Sequence, residues 1–261
     1  MASYLQRLLT TCVVIPRRSM VIQNCAERKE TGTDFKSDFL RSHIETTSLQ
    51  KILLACGSAI MSLYSPMRGD MIAIMGETAG TSAMKYMLEK MKISQEGQEI
   101  LKIRPRINSK TVNLPQLANL PEGTLGKTYV NFLNKNNVTP DSRLQVQFVD
   151  DIELAYVIQR YREVHDLVHA ILNMPTNMLG EVTVKWVEAF QTRLPMCIGG
   201  AVFGAMRLSP KQRKLYVASY LPWAIQTGTT SSFLMNVFFE KRWDQPVNDL
   251  LQELNIQPMK T

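Results

Sequence analysis

The stretch DIELAYVIQRYREVHDLVHAILNMPTNMLGEVTVKWVEAFQT, residues 151–192, decides the fold class and holds the most informative polar residues of the chain. Asp150 or Asp151 can cap a helix that reaches Leu172, and two of the chain's 3 histidines, His165 and His169, lie one turn apart on it. Successive helical residues rotate by about 100°, so His165, His169 and Asp166 fall near 0°, 40° and 100°, within one arc. Glu181 cannot join them on a continuous helix. Twelve further residues carry it about 18 Å along the axis and about 120° around it. The chain can turn back at Asn173-Met174-Pro175-Thr176-Asn177, where Pro175 forbids regular helix and Thr176 or Asn177 can cap a returning one. The reading is two antiparallel helices joined by a proline-containing turn, with a metal site between them.

Two imidazoles and two carboxylates suit zinc or another divalent first-row metal. A mixed set without thiolates is more typical of a catalytic centre than of a structural clip. A plainer reading stands beside it. Arg162 precedes Asp166 by four residues and Lys185 follows Glu181 by four, the spacing of surface ion pairs. His165 also shares a stripe with Val157, Tyr161, Val164, Val168 and Leu172, where a histidine can be a hydrogen-bonded core residue.

Helical signals continue outward in both directions. Ser48 to Tyr64 carries Leu49, Ile52, Leu53, Cys56, Ile60 and Leu63 at three-to-four spacing. Met71 to Thr78 stops at Gly80, and Thr81 or Ser82 starts the segment Ala83 to Met91. Tyr129 to Asn136 reads as helix. Ser209-Pro210-Lys211-Gln212 has capping-box spacing with proline at the first helical position, starting a helix to Tyr220. Pro246 to Leu254 closes the series. No sustained period-two alternation occurs, so the expected fold is all-α, a single helical domain over residues 48–255 followed by a tail at 256–261.

Residues 31–47 are polar and read as a linker. The region before them has no acidic side chain in its first 26 residues, and its arginines alternate with Leu5, Leu8, Leu9, Val13, Val14 and Ile15. Residues 1–30 therefore resemble a mitochondrial transit peptide. The whole chain of 261 residues has a net charge of +7. That excess is too modest to indicate a nucleic-acid partner. The four cysteines, Cys12, Cys25, Cys56 and Cys197, form no CxxC pair, so neither a disulfide framework nor a thiolate metal site is indicated.

No apolar run is long enough to span a bilayer; the uncharged segment from Leu194 to Met206 covers only about 20 Å as helix. Its Gly200 and Gly204 allow close helix packing or form one wall of an apolar groove, to which the 15 methionines can adapt. Pro105, Pro115 and Pro121 argue for an irregular connection between Lys102 and Gly126, and Lys102, Arg104, Arg106 and Lys110 there could meet a phosphate or lipid headgroup. Gly123 to Thr128 ends like a phosphate-binding loop, but the required first glycine is Pro121, so a P-loop is rejected. Cys56-Gly57-Ser58 lacks a suitably placed base.

The His165-Asp166-x-x-His169-x11-Glu181 spacing closely resembles the mitochondrial coenzyme Q biosynthesis proteins conventionally numbered four. Arg68-Gly69-Asp70-Met71, Arg104-Pro105-Arg106-Ile107, Leu120-Pro121-Glu122-Gly123-Thr124, Gln159-Arg160-Tyr161-Arg162-Glu163-Val164 and Leu179-Gly180-Glu181 carry the likeness further. Lys185-Trp186, Leu194-Pro195-Met196 and Phe233-Leu234-Met235-Asn236-Val237 extend it to span about Ser48 to Leu254.

The resemblance implies that His165, Asp166, His169 and Glu181 ligate zinc or a similar ion. It implies decarboxylation at ring carbon 1 of a polyprenylated 4-hydroxybenzoate-derived lipid, an activity of the 4-hydroxy-3-methoxy-5-polyprenylbenzoate decarboxylase type, with hydroxylation at that carbon as a coupled step. It also implies a peripheral position on the matrix side of the mitochondrial inner membrane, other coenzyme Q biosynthesis enzymes as partners in a multi-subunit complex, and compatibility with a homodimer. The alternative is a non-catalytic lipid-binding scaffold that organises that complex.

Overall fold

The computed structural model describes residues 35–65 and 68–259. The transit-peptide expectation for residues 1–30 lies outside the described residues. Helices follow one another as α1 (Phe35–Ser42), α2 (Ser48–Tyr64), α3 (Gly69–Ala79), α4 (Thr81–Ile93), α5 (Gln95–Ile103), α6 (Leu114–Ala118) and α7 (Leu125–Asn136). The second half contains α8 (Ile152–Ile171), α9 (Met178–Thr192), α10 (Pro195–Ala205), α11 (Pro210–Leu215), α12 (Leu221–Thr230) and α13 (Val247–Glu253). No strand occurs among the described residues, only an isolated bridge between Thr124 and Pro246. The fold is all-α.

α8 is the axis of the molecule, buried from Leu154 to Ile171. Asp151 caps it by accepting from the backbone N–H groups of Glu153 and Leu154. A helix buried all round needs a partner for each polar side chain, because an unsatisfied buried group costs about 1–3 kcal/mol. α8 finds these partners in different neighbours. Gln159 accepts from Val146 N–H and donates to Glu163, Arg160 donates to Glu240 and the Val237 carbonyl, and Arg162 donates to Glu77 and the carbonyls of Ala73 and Leu144. Glu163 receives Arg106 at 2.7 Å and Ile107 N–H at 2.8 Å. The polar run Gln159 to Glu163 thus pins segments far apart in sequence onto one helix.

Three expectations change here. Within the segment read as a linker, the described residues from 35 onward include α1, which buries Phe35 and Phe39; Phe35 meets Tyr156 edge-on at 5.2 Å, and Asp38 takes Arg106 at 2.9 Å. Low average hydrophobicity hid two phenylalanines on one helical face. The tail beginning at 256 also belongs to the body, since Ile256 is buried and Trp223 Nε1 donates to the Gln257 carbonyl. Arg106 likewise leaves the expected basic cluster, because Glu163 and Asp38 engage its buried guanidinium.

The Ser209 capping box forms as expected. The helix does not end at Tyr220. It widens into a π-helical turn at Tyr216–Tyr220 and continues as α12. Pro222 explains the widening, since its ring opposes a regular bond to the carbonyl four residues earlier.

Candidate metal centre and its cavity

The reversal from α8 to α9 is built from local chemistry. Asn173 takes a left-handed conformation (φ 51°), letting Asn173 N–H bond the Ala170 carbonyl and Met174 N–H bond the His169 carbonyl. This is the Schellman ending, and Asn tolerates its left-handed position. Asn177 then caps α9 by accepting from Gly180 N–H at 3.0 Å. A Cβ at Gly180 would collide with the Pro175 carbonyl, so only glycine allows so close an approach. Glu181 follows immediately.

Three of the four expected residues come together. One ligand atom from each of His165, His169 and Glu181 lies within 4.8 Å of the others. His165 Nε2 is 3.9 Å and His169 Nε2 is 3.5 Å from the Glu181 carboxylate. Asp166 departs from the expectation: both its oxygens are engaged by the Arg143 guanidinium. The plain ion-pair readings also fail in detail, since Arg162 turns to Glu77 and Lys185 to Glu188.

The tautomers favour a cation. His169 Nδ1 lies 3.1 Å from the Met174 carbonyl, which can only accept, so Nδ1 carries the proton and Nε2 keeps a lone pair. That buried Nε2 has no hydrogen-bond partner. His165 Nδ1 lies 2.6 Å from Glu188, which leaves its Nε2 turned towards Glu181. Carboxylate or carbonyl partners behind imidazoles are the usual support for metal-binding histidines. Tetrahedral donors at ordinary zinc bond lengths stand ~3.3–3.6 Å apart. The 3.5 Å pair already meets this separation, and the 3.9 Å pair is a few tenths of an ångström wide. The residues fit a divalent ion.

Glu188 is the residue that sequence reading missed. It lies seven positions beyond Glu181 and three beyond Lys185, so all three face α8, and this spacing was a usable signal. Its Oε2 receives Lys185 Nζ and the Tyr161 hydroxyl, each at 2.7 Å. Burial opposes the Glu188 charge, but His165 and Lys185 outweigh it and hold the carboxyl well below its usual range. Burial and Lys185 lower the His165 pKa against the pull of Glu188, favouring a neutral ring. Lys185 stays cationic because the Glu188 and Glu181 carboxylates overcome its desolvation. Burial pushes the Cys197 thiol up to about 12, too high for a ready thiolate.

His165 and Glu181 line a cavity of about 760 Å³. Tyr161 and Lys185 continue its polar end, and Ala59, Leu63, Ile72, Met75, Met196 and Phe203 contribute apolar wall. Gly200 and Gly204 meet both sequence readings: they line the cavity, and a Cβ at Gly204 would lie 2.7 Å from Val182 on α9. Leu63 and Phe203, which line it, are themselves exposed, as are other apolar side chains of α2 and α10.

The fold and site together define an all-helical protein with a two-histidine, one-carboxylate centre opening into a largely apolar chamber. The family described as Coenzyme Q (ubiquinone) biosynthesis protein Coq4 matches residues 40–260, and this chain belongs to it. The Bombyx mori mitochondrial ubiquinone biosynthesis protein COQ4 homolog is 57% identical over 222 residues, covering 85% of this chain and 86% of the relative. The corresponding Rattus norvegicus protein is 54% identical, with 83% and 82% coverage. A 2.85 Å crystal structure of a Nostoc punctiforme protein assigned to ubiquinone biosynthesis has the same fold, with TM-score 0.60, 21% identity, and coverage of 77% of this chain and 95% of that one.

Proposed function

We propose that this chain is a metal-dependent lyase of ubiquinone biosynthesis that removes the C1 carboxyl group of a polyprenylated 4-hydroxybenzoate-derived intermediate; coupled C1 hydroxylation would take dioxygen as oxidant and a redox-active ion, iron or manganese, in place of zinc. One observation carries this reading: the unpartnered His169 Nε2 converges with His165 and Glu181 at the polar end of an apolar cavity. His165, His169 and Glu181 would hold the ion. Asp166 completes the proposed set in exchange for its pairing with Arg143.

When bound, zinc or another first-row divalent ion supplies Lewis acidity and acidifies water enough to make a proton available near neutral pH. A proton takes the place of the carboxyl group on the ring carbon as CO2 departs, and the para hydroxyl donates electron density to that carbon. Met75, Met196 and Phe203 supply wall for the prenyl tail, where each buried CH2 contributes about 0.8 kcal/mol.

The relatives are named mitochondrial, and no described helix is long and apolar enough to cross a membrane. The names support a mitochondrial location; peripheral association with the matrix side of the inner membrane is the reading we propose, with the exposed apolar side chains of α2 and α10 as the contact. Other enzymes of the pathway would dock elsewhere on the molecule, and a homodimer is compatible with the reading.

Turnover of a prenylated hydroxybenzoate by zinc-loaded protein, compared with His169→Ala, tests the lyase. Activity and metal content should both fall in the variant while helical circular dichroism persists. Absence of wild-type turnover, with a variant that fails only in complex assembly, would favour the lipid-binding scaffold. Asp166→Asn should lower zinc affinity; unchanged affinity would restrict the ligands to three residues.

A further inference from the structure

Lys185 is a cation built into the wall of the cavity, and neither the ion site nor the apolar wall accounts for it. Its side chain is 15% exposed, and it lines the same chamber as His165 and Glu181. The ammonium carries three protons. One goes to Glu188 Oε2 at 2.7 Å and one to the Tyr161 hydroxyl at 3.0 Å. The remaining near neighbour, His165 Nδ1 at 3.5 Å, already donates to Glu188 and cannot accept. Among the described residues the third proton has no acceptor.

In the structure each of the other cations lining the chamber has a partner, and Arg143, which ligation of the ion by Asp166 would release, is therefore tested beside Lys185. Arg143 binds Asp166, Arg162 binds Glu77 and two carbonyls, and Arg207 donates to the Leu63 carbonyl. Charge points the same way. Glu181, Glu188 and Asp166 give −3, Lys185 and Arg143 give +2, and a divalent ion gives +2, so the loaded polar end carries +1. A monoanion neutralises it.

We propose that Lys185, fixed by Glu188 and Tyr161, is the specificity-determining residue that donates its third hydrogen bond to an acidic oxygen of the ligand, selecting an aromatic carboxylate over the neutral phenol left when the carboxyl is lost. The inference rests on the reading that a prenylated hydroxybenzoate occupies the cavity. It adds a discrimination between substrate and product: the acid is held and the decarboxylated phenol is released. Glu188, which does not line the cavity, is a positioning residue that meets the ligand only through the lysine.

The test uses zinc-loaded full-length protein and two probes, 4-hydroxybenzoate bearing a two-isoprene tail and the same phenol without its carboxyl group. Binding is read from tryptophan fluorescence. Wild type should prefer the acid by about ten-fold or more, the scale of a charge-assisted hydrogen bond. Lys185→Met should lose that preference while retaining phenol binding and zinc content, Lys185→Arg should keep part of it, and Arg143→Gln should keep it. Equal affinity for both probes in wild type, an unchanged preference in Lys185→Met, or loss of preference in Arg143→Gln instead would overturn the assignment.

A measurement on wild type covers variants that fail to fold. The acid should slow acetylation of Lys185 by acetic anhydride several-fold relative to the phenol, as read by mass spectrometry, and equal labelling would refute the proposal. Its failure is separable from that of the lyase reading. Acid selectivity without turnover leaves the lysine assignment standing, whereas turnover without lysine-dependent selectivity leaves the lyase standing.

Discussion

Glu188 joins two tasks in one carboxylate. One oxygen accepts from His165 Nδ1 at 2.6 Å, and the other receives Lys185 and Tyr161. The first contact orients an imidazole and the second neutralises a cation, so Glu188→Gln should disturb both without removing a proposed ligand. Loss of such a supporting partner typically weakens metal affinity 10–100-fold, roughly the range expected here. Competition with a zinc chelator measures it. Affinity within two-fold of wild type would show that His165 needs no such support. Cys197, close to Tyr161 and Glu188, is buried with a pKa raised to about 12, so its replacement by alanine should leave metal content unchanged.

At the scale of the element, the turn between α8 and α9 sets the centre. Met174 uses its N–H to close the end of α8 and its carbonyl to fix the His169 tautomer. The segment that reverses the chain therefore also prepares a ligand. Gly180 lets α9 start against Pro175, one residue before Glu181. Gly180→Ala forces backbone apart and should destabilise the protein by about 1–3 kcal/mol, the usual cost of overpacking. It should lower zinc affinity as well, because the displaced residue adjoins the carboxylate. Thermal unfolding and metal titration on the same sample check both, and a variant with unaltered melting and affinity would contradict the close-packed turn.

Across the whole molecule, exposed apolar side chains gather on α2 and α10, two of the helices that line the chamber. Leu53, Ile60 and Met206 are 64%, 67% and 70% exposed, while Leu63 and Phe203 belong to both the face and the cavity lining. Exposed apolar side chains on helices that line a lipid-sized chamber suit loading from a bilayer. Leu53→Glu combined with Ile60→Glu should strongly reduce flotation with anionic phospholipid vesicles while leaving metal content intact. Undiminished flotation would show that this face makes no membrane contact.

The sequence by itself determined most of the helices, the proline-containing reversal and the positions of His165, His169 and Glu181, because caps, helical spacing and turn chemistry are local. Ser48–Tyr64 and the Ser209 box formed as their residues indicate. Tertiary structure decided what local patterns leave open: that α1 joins the core, that Asp166 faces Arg143, and that Glu188 stands behind His165. Each of these depends on which segments α8 gathers around itself. A charged side chain takes the partner that folding brings within reach, and intrahelical spacing offers only the nearest candidates.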